Sequence, residues 1–158
     1  MAEQGTVRWM IALRDARPGD EPRLRAIHLA GTMSSYGREL TWLEPILADP
    51  ATPLETVDWT IVAADGDEVL GYAAVTARHL ENLYLDPAVQ GRRVGSALLA
   101  EVEARLRPRF DAITLRCLHV NPDARRFYDR HGFHVVETQT IVYHGRSLPA
   151  WFMEKPLG

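Results

Sequence analysis

The sequence predicts an α/β or α+β fold. Three observations carry this. Strand-like and helix-like stretches alternate along the chain. An Asp65-Gly66-Asp67 turn lies between two β-branched apolar runs, which is the signature of a hairpin. Twice, an apolar run passes through a turn into an amphipathic helix, from Leu83 to Leu99 and from Ala112 to Gly132. The 158 residues suit one domain over residues 1–158 with a core from about residue 9 to 156.

The elements follow in order. Ile11 to Arg14 reads as a short strand. Asp20 is placed to cap a helix with Pro22 in its first turn and Leu24, Ile27, His28 and Gly31 at helical spacing. Thr41 and Glu44 are spaced as a capping box before Trp42, Leu43, Ile46 and Leu47. Thr52 to Glu55 reads as loop. Val57 to Thr76 is the hairpin, and a strand from about His79 to Leu85 ends at Asp86-Pro87. Beyond the Gly91 to Gly95 turn, Leu98, Leu99, Val102 and Leu106 share one helix face, which Pro108 closes. Ala112 to Leu118 alternates like a buried strand. Asn121 and Pro122 open the next helix as cap and first-turn proline, and Gly132 ends it. Two last strands, about Phe133 to Tyr143 and Leu148 to Lys155, are joined by His144-Gly145-Arg146. The predicted order is β-α-α-β-β-β-α-β-α-β-β.

Composition removes several function classes. The net charge of −3, with both signs interspersed, lacks the basic stripe of a nucleic-acid binder. No apolar run reaches the length of a membrane span, and Met1 to Gly5 lacks the pattern of a signal peptide. The single Cys117 cannot form an internal disulfide, so a cytoplasmic location is expected. One cysteine and six scattered histidines offer no paired ligand spacing, so no metal is expected.

The chemistry concentrates in Leu83-Tyr84-Leu85-Asp86-Pro87-Ala88-Val89-Gln90-Gly91-Arg92-Arg93-Val94-Gly95-Ser96. This is a strand, a tight turn and a helix start. A helix N-terminus presents unpaired N–H groups and partial positive charge, which suit a phosphate. Glycines let the backbone approach it, and Arg92 and Arg93 add charge. The physics names an anion site, with pyrophosphate its natural occupant, but no particular nucleotide. Neither Gly-Lys-Ser/Thr nor G-x-G-x-x-G is present, which excludes Walker and dinucleotide turns. The plain alternative is an ordinary strand-to-helix turn with exposed arginines.

A second segment, Asn121 to Phe133, joins Asn121, Phe127-Tyr128 and Gly132-Phe133 on one capped helix and its exit. Cap, core aromatics and terminal glycine account for most of it. Tyr128 stands apart, because a phenol beside a thioester donates a proton to a departing thiolate.

Together these segments resemble the GNAT superfamily of acyl-CoA N-acyltransferases. Gln90 and Gly95 match the family's Q/R-x-x-G-x-G/A cofactor motif, with Arg93 where the first turn glycine usually stands. A frame shifted to Arg92 puts Gly95 first and Ala97 at the small position. The element order matches the family fold from Ile11 to the end. The resemblance implies a mixed, mostly antiparallel twisted sheet of about seven strands flanked by about four helices. It implies acetyl-CoA as cosubstrate and a small-molecule or peptide amine as acceptor. It also implies a homodimer, which the exposed edges of the final strands would favour.

Carried over by residue, Leu83, Tyr84 and Leu85 would hold the pantetheine arm as an added strand and offer an oxyanion donor. Gln90, Gly91, Arg92, Arg93, Val94, Gly95 and Ser96 would hold the pyrophosphate, with Arg93 alternatively on the 3′-phosphate. Asn121 would contact the cofactor arm, and Tyr128 would protonate the thiolate.

An alkylammonium must lose a proton before it attacks a carbonyl. The family often carries the base on the strand before the glycine turn. That strand bears His79 and Glu81, two apart and therefore on one face. Glu81 is the first candidate and His79 the second. The alternatives are a GNAT-fold acyl-CoA binding or sensing module without turnover, and a structural protein that uses the fold as an oligomer scaffold.

Overall fold

The computed structural model describes residues 10–90 and 93–158. The elements are β1 (Ala12–Asp15), α1 (Glu21–Tyr36), α2 (Leu43–Ala48), β2 (Trp59–Asp65), β3 (Glu68–Thr76), β4 (His79–Leu85), α3 (Val94–Leu106), β5 (Ala112–Leu118), α4 (Pro122–Arg130), β6 (His134–Tyr143) and β7 (Arg146–Pro156). Their order is the one read from the sequence.

One 7-stranded sheet runs β1-β2-β3-β4-β5-β7-β6. Both of its faces are covered, which is why β2 and β3 read as nearly continuous apolar runs. Ile61, Ala63, Ala73 and Val75 face Leu98, Leu99, Val102 and Leu106 of α3. The alternate residues Val62, Ala64, Tyr72 and Ala74 face Leu24 and Ile27 of α1. The Asp65-to-Glu68 register closes the predicted hairpin, with φ of +58° at Gly66. Such left-handed backbone is open to glycine without steric cost. The β6–β7 turn pairs Tyr143 with Arg146 and has φ of +48° and +81° at His144 and Gly145.

Three expectations are corrected. Asp20 precedes α1 but its side chain does not cap it. Its carboxylate instead accepts from Arg17 N at 2.7 Å and from both terminal guanidinium nitrogens of Arg14. The stronger charged donor takes the lone pairs that a cap would use. Thr41 and Glu44 form no capping box, because Trp42 occupies the cap position of α2 and makes no side-chain cap bond. Of the two final strands, only β6 has a free edge; β7 is enclosed between β5 and β6.

The feature that positions the site is a break in the middle of the sheet. β4 and β5 are parallel and pair only at His79↔Thr114 and Leu80↔Leu115. From residue 81 onward they diverge, so β4 keeps β3 on one side and has no strand on the other. A β-bulge falls at the same point: Val75 opposes Leu80 and Ala74 opposes Asn82, leaving Glu81 as the extra residue. The bulge resets the alternation of β4, so that Leu80, Leu83 and Leu85 all pack into the α3 core despite the odd spacing after Leu80.

Candidate active site

Two cavities open along the divergence of β4 and β5. One, of about 720 Å³, lies toward α1, the loop before β2, and β6. The other, of about 560 Å³, lies between the start of α3 and α4. Both are lined by Leu83, Tyr84, Asn121, Ala124 and Tyr128, so they meet at the seam.

The second cavity lies at the turn that the sequence marks as an anion site. Gln90, Arg93, Val94, Gly95 and Ser96 line it, with Leu85. Gly91 and Arg92 lie outside the described residues. Arg93 precedes α3 with φ of +60°, a left-handed conformation unusual for a side-chain-bearing residue. The first intrahelical bond is Ala97 N to Arg93 O at 3.0 Å, and no side chain caps the helix. The amides of Val94, Gly95 and Ser96 therefore have no intrahelical acceptor. The approach to this turn is fixed by Asp86. Its carboxylate accepts from Ala88 N at 2.9 Å and pairs with Arg23, which together hold it below the usual carboxylate range.

The first cavity holds the titratable groups. His79 and Glu81 both line it, as does Glu55 from the loop before β2. Glu55 and Glu81 face the same cavity, and each carboxyl feels the other. Burial raises both carboxyls; at Glu81 the Glu55 charge adds to this and Arg116 opposes it. Burial, with Arg116 beside it, lowers His79 to about 4. Arg116 can only donate, so the 3.5 Å contact with His79 Nε2 makes that nitrogen an acceptor. The other nitrogen, Nδ1, then donates to Thr114 Oγ1 at 2.9 Å. Both nitrogens of His79 are thus engaged.

Tyr128 stands where the cavities join, its ring held edge-on by Phe127 and Phe133. Burial drives its phenol well above its ordinary value, so it stays a neutral O–H donor. Asn121 caps α4 by accepting from Ala124 N at 3.2 Å. Cys117 is buried in the α3-side core, and burial pushes its thiol up to about 12. That is a packing cysteine, not a nucleophile. Among the described residues, no group of three or more His, Cys, Asp or Glu is placed to hold a metal.

Sequence comparison matches residues 58–135 to the acetyltransferase (GNAT) domain model. The peptidyl-lysine N-acetyltransferase YjaB of Salmonella typhimurium is 31% identical over 109 residues, 68% of this chain and 69% of that protein. The chain belongs to the GNAT acetyltransferase family. The fold agrees. A GCN5-related N-acetyltransferase from Rhodopseudomonas palustris superposes with TM-score 0.74 at 24% identity, covering 96% of this chain and 99% of that one. The yncA acetyltransferase from Salmonella typhimurium, solved with its cofactor acetyl-CoA, superposes with TM-score 0.67 at 20% identity, over 94% of each chain.

In this GNAT acetyltransferase the structure gathers Leu83, Tyr84, Asn121 and Tyr128 at the seam, His79 and Glu81 on one side, and Leu85, Gln90, Arg93, Val94, Gly95 and Ser96 on the other. Tyr36 of α1 lines the first cavity. Met33 and Trp42 pack beneath α2, and Trp59 stacks under Arg105 on the α3 side. Three features were absent from the sequence reading. Glu55 reaches Glu81 from a loop. The Tyr36 hydroxyl lies 3.4 Å from those of both Tyr84 and Tyr143. His131 bonds Ser96 across the start of α3 at 2.8 Å. Only the bulge at Glu81 left a sequence signal, the odd interval from Leu80 to Leu83.

Proposed function

We propose that this acetyltransferase is an acetyl-CoA-dependent N-acetyltransferase in which a primary amine attacks the thioester directly. The observation that carries the reading is Tyr128 at the junction of two cavities, one lined by the first turn of α3 and the other by a carboxyl pair.

The residues present suit such a cosubstrate. The amides of Val94, Gly95 and Ser96, which have no acceptor within the helix, suit its pyrophosphate. The unpaired edge of β4 from Leu83 to Leu85 suits the amide-bearing pantetheine arm, which adds as a strand would. When bound, acetyl-CoA supplies an activated acyl group and a thiolate leaving group.

Glu81 takes the proton of the incoming ammonium. Its raised carboxyl brings it closer to the working range of a general base than a free glutamate. Glu55 beside it holds the ammonium once both are ionised. His79 is the poorer base, since its Nε2 lone pair accepts from Arg116. Tyr128 donates its phenolic proton to the departing thiolate. The acceptor-side cavity is open enough for a lysine side chain, the acceptor in the name of the YjaB relative. Lysine peptides therefore belong beside small amines in any screen.

Thermal-shift titration with acetyl-CoA, CoA and ATP tests the cofactor, and thiol release with an amine panel tests turnover. Stabilisation by acetyl-CoA and CoA but not ATP, followed by amine-dependent thiol release, is expected. Binding without release from any amine would point to a sensing module, and no stabilisation would remove the cofactor assignment.

A further inference from the structure

The contact between His131 and Ser96 joins the end of α4 to the first turn of α3. His131 Nδ1 lies 2.7 Å from the carbonyl oxygen of Phe127, and Nε2 lies 2.8 Å from Ser96 Oγ. The ring stacks on Phe127 with centroids 4.1 Å apart, which fixes its plane. A carbonyl only accepts, so Nδ1 carries the hydrogen. In the neutral ring Nε2 is then an acceptor, and the Ser96 hydroxyl must donate to it. Ser96 therefore has no hydrogen to offer an anion in the same cavity and turns lone pairs toward it. With a proton on Nε2 the bond reverses. The imidazolium donates to Oγ, and Ser96 frees its hydrogen for a phosphate oxygen.

We propose that His131 is a positioning residue of the cofactor site, and that coenzyme A binds with uptake of a proton at His131, which turns the Ser96 hydroxyl onto the pyrophosphate. This rests on the reading that the start of α3 holds the pyrophosphate.

The charged and titratable surroundings of the ring are mixed. Arg93 at the start of α3, and Asp123, Tyr128 and Arg130 of α4, line the same cavity. Lys155 of β7 packs against Gly132 and is paired with Glu103 of α3 at 2.8 Å. None of these is hydrogen-bonded to the ring; among the described residues its polar contacts are Ser96 and the Phe127 carbonyl. An arriving phosphate is then the decisive new charge beside the ring.

The test is calorimetry of CoA binding to the full chain at pH 7.5 in two buffers of different protonation enthalpy. Wild type is compared with His131→Gln, which cannot titrate. CoA's own phosphate, with a second ionisation near pH ~6, contributes equally to both proteins, so the difference reads His131. Wild type should take up more protons than the variant, by a fraction approaching one. Its Kd should rise with pH, by up to about tenfold per unit, and the variant should lack that slope. Ring nitrogen NMR of His131 in wild type, which needs no variant, should show the imidazolium at CoA saturation. Equal proton uptake in both proteins, or a ring that stays neutral when saturated, overturns the proposal. Gly95→Glu separates the two readings. If it abolishes CoA binding while uptake is equal in wild type and His131→Gln, only the proton linkage fails. If it leaves CoA binding intact, the phosphate site is misplaced and both readings fail.

Discussion

Glu81 and His79 differ in what their lone pairs are free to do. Arg116 and Thr114 occupy both nitrogens of His79, whereas Glu81 meets another carboxyl and the open cavity. The pH profile of kcat/KM separates them. A base works in its deprotonated form, so activity rises as pH climbs through its pKa. Glu81 is raised, so its limb lies above the ordinary carboxylate range, and Glu81→Gln should remove that limb. His79 would give a limb near 4, and His79→Gln should leave the higher limb in place. Tyr128→Phe removes a proton donor but little surface. We expect kcat to fall by roughly a hundredfold with CoA affinity nearly unchanged. An unaltered kcat would take Tyr128 out of the chemistry. Tyr128 was legible because it sits in a helix whose cap, aromatics and terminal glycine are all local signals. Glu55 was not, because nothing in a loop sequence says which distant strand it will reach. Ser96 and His131 lie 35 residues apart and carried no mark of their contact.

At the scale of elements, the local rules served well where turn chemistry decides and failed where tertiary charge competes. Asp-Gly closed its hairpin and Asn121 capped α4. Asp20 had a cap's position but found Arg14, and Thr41 lost its place to Trp42. β4 is the instructive strand. Its alternation is broken by the bulge, and Glu81 is both the spare residue and the proposed base. The two roles separate by mutation. Glu81→Ala should keep the fold and lose activity. Deletion of Glu81 removes the bulge and puts Leu80, Leu83 and Leu85 at strict alternation opposite Val75, Ala73 and Gly71, so all three keep facing the α3 core. The deletion should therefore cost little more stability than the alanine variant in urea melts, and a far larger loss would mean that the strand cannot close over the missing residue. Gly71 opposite Leu85 tightens this arrangement, since a Cβ there would lie 2.7 Å from Leu85 Cδ2.

The molecule as a whole is held by helix packing across a sheet that its own backbone scarcely joins in the middle. α3 contributes Leu98, Leu99, Val102 and Leu106, which contact strands from both halves. Leu98 is fully buried, and Leu98→Ala should destabilise the protein by about 2–5 kcal/mol in chemical denaturation. A loss near zero would mean that the seam does not depend on α3. The overall architecture was legible because strand and helix periods alternate so plainly. The divergence of β4 from β5 was not, because a parallel pairing leaves no register mark in a single sequence.

Mechanically, the join at His79↔Thr114 and Leu80↔Leu115 is the spine of a book. The leaves on either side are stiff sheets, and the widest opening lies farthest from the spine. A small rotation there is multiplied along the length of β4, so the width of the seam beside Leu83 to Leu85 is set by a joint several residues away.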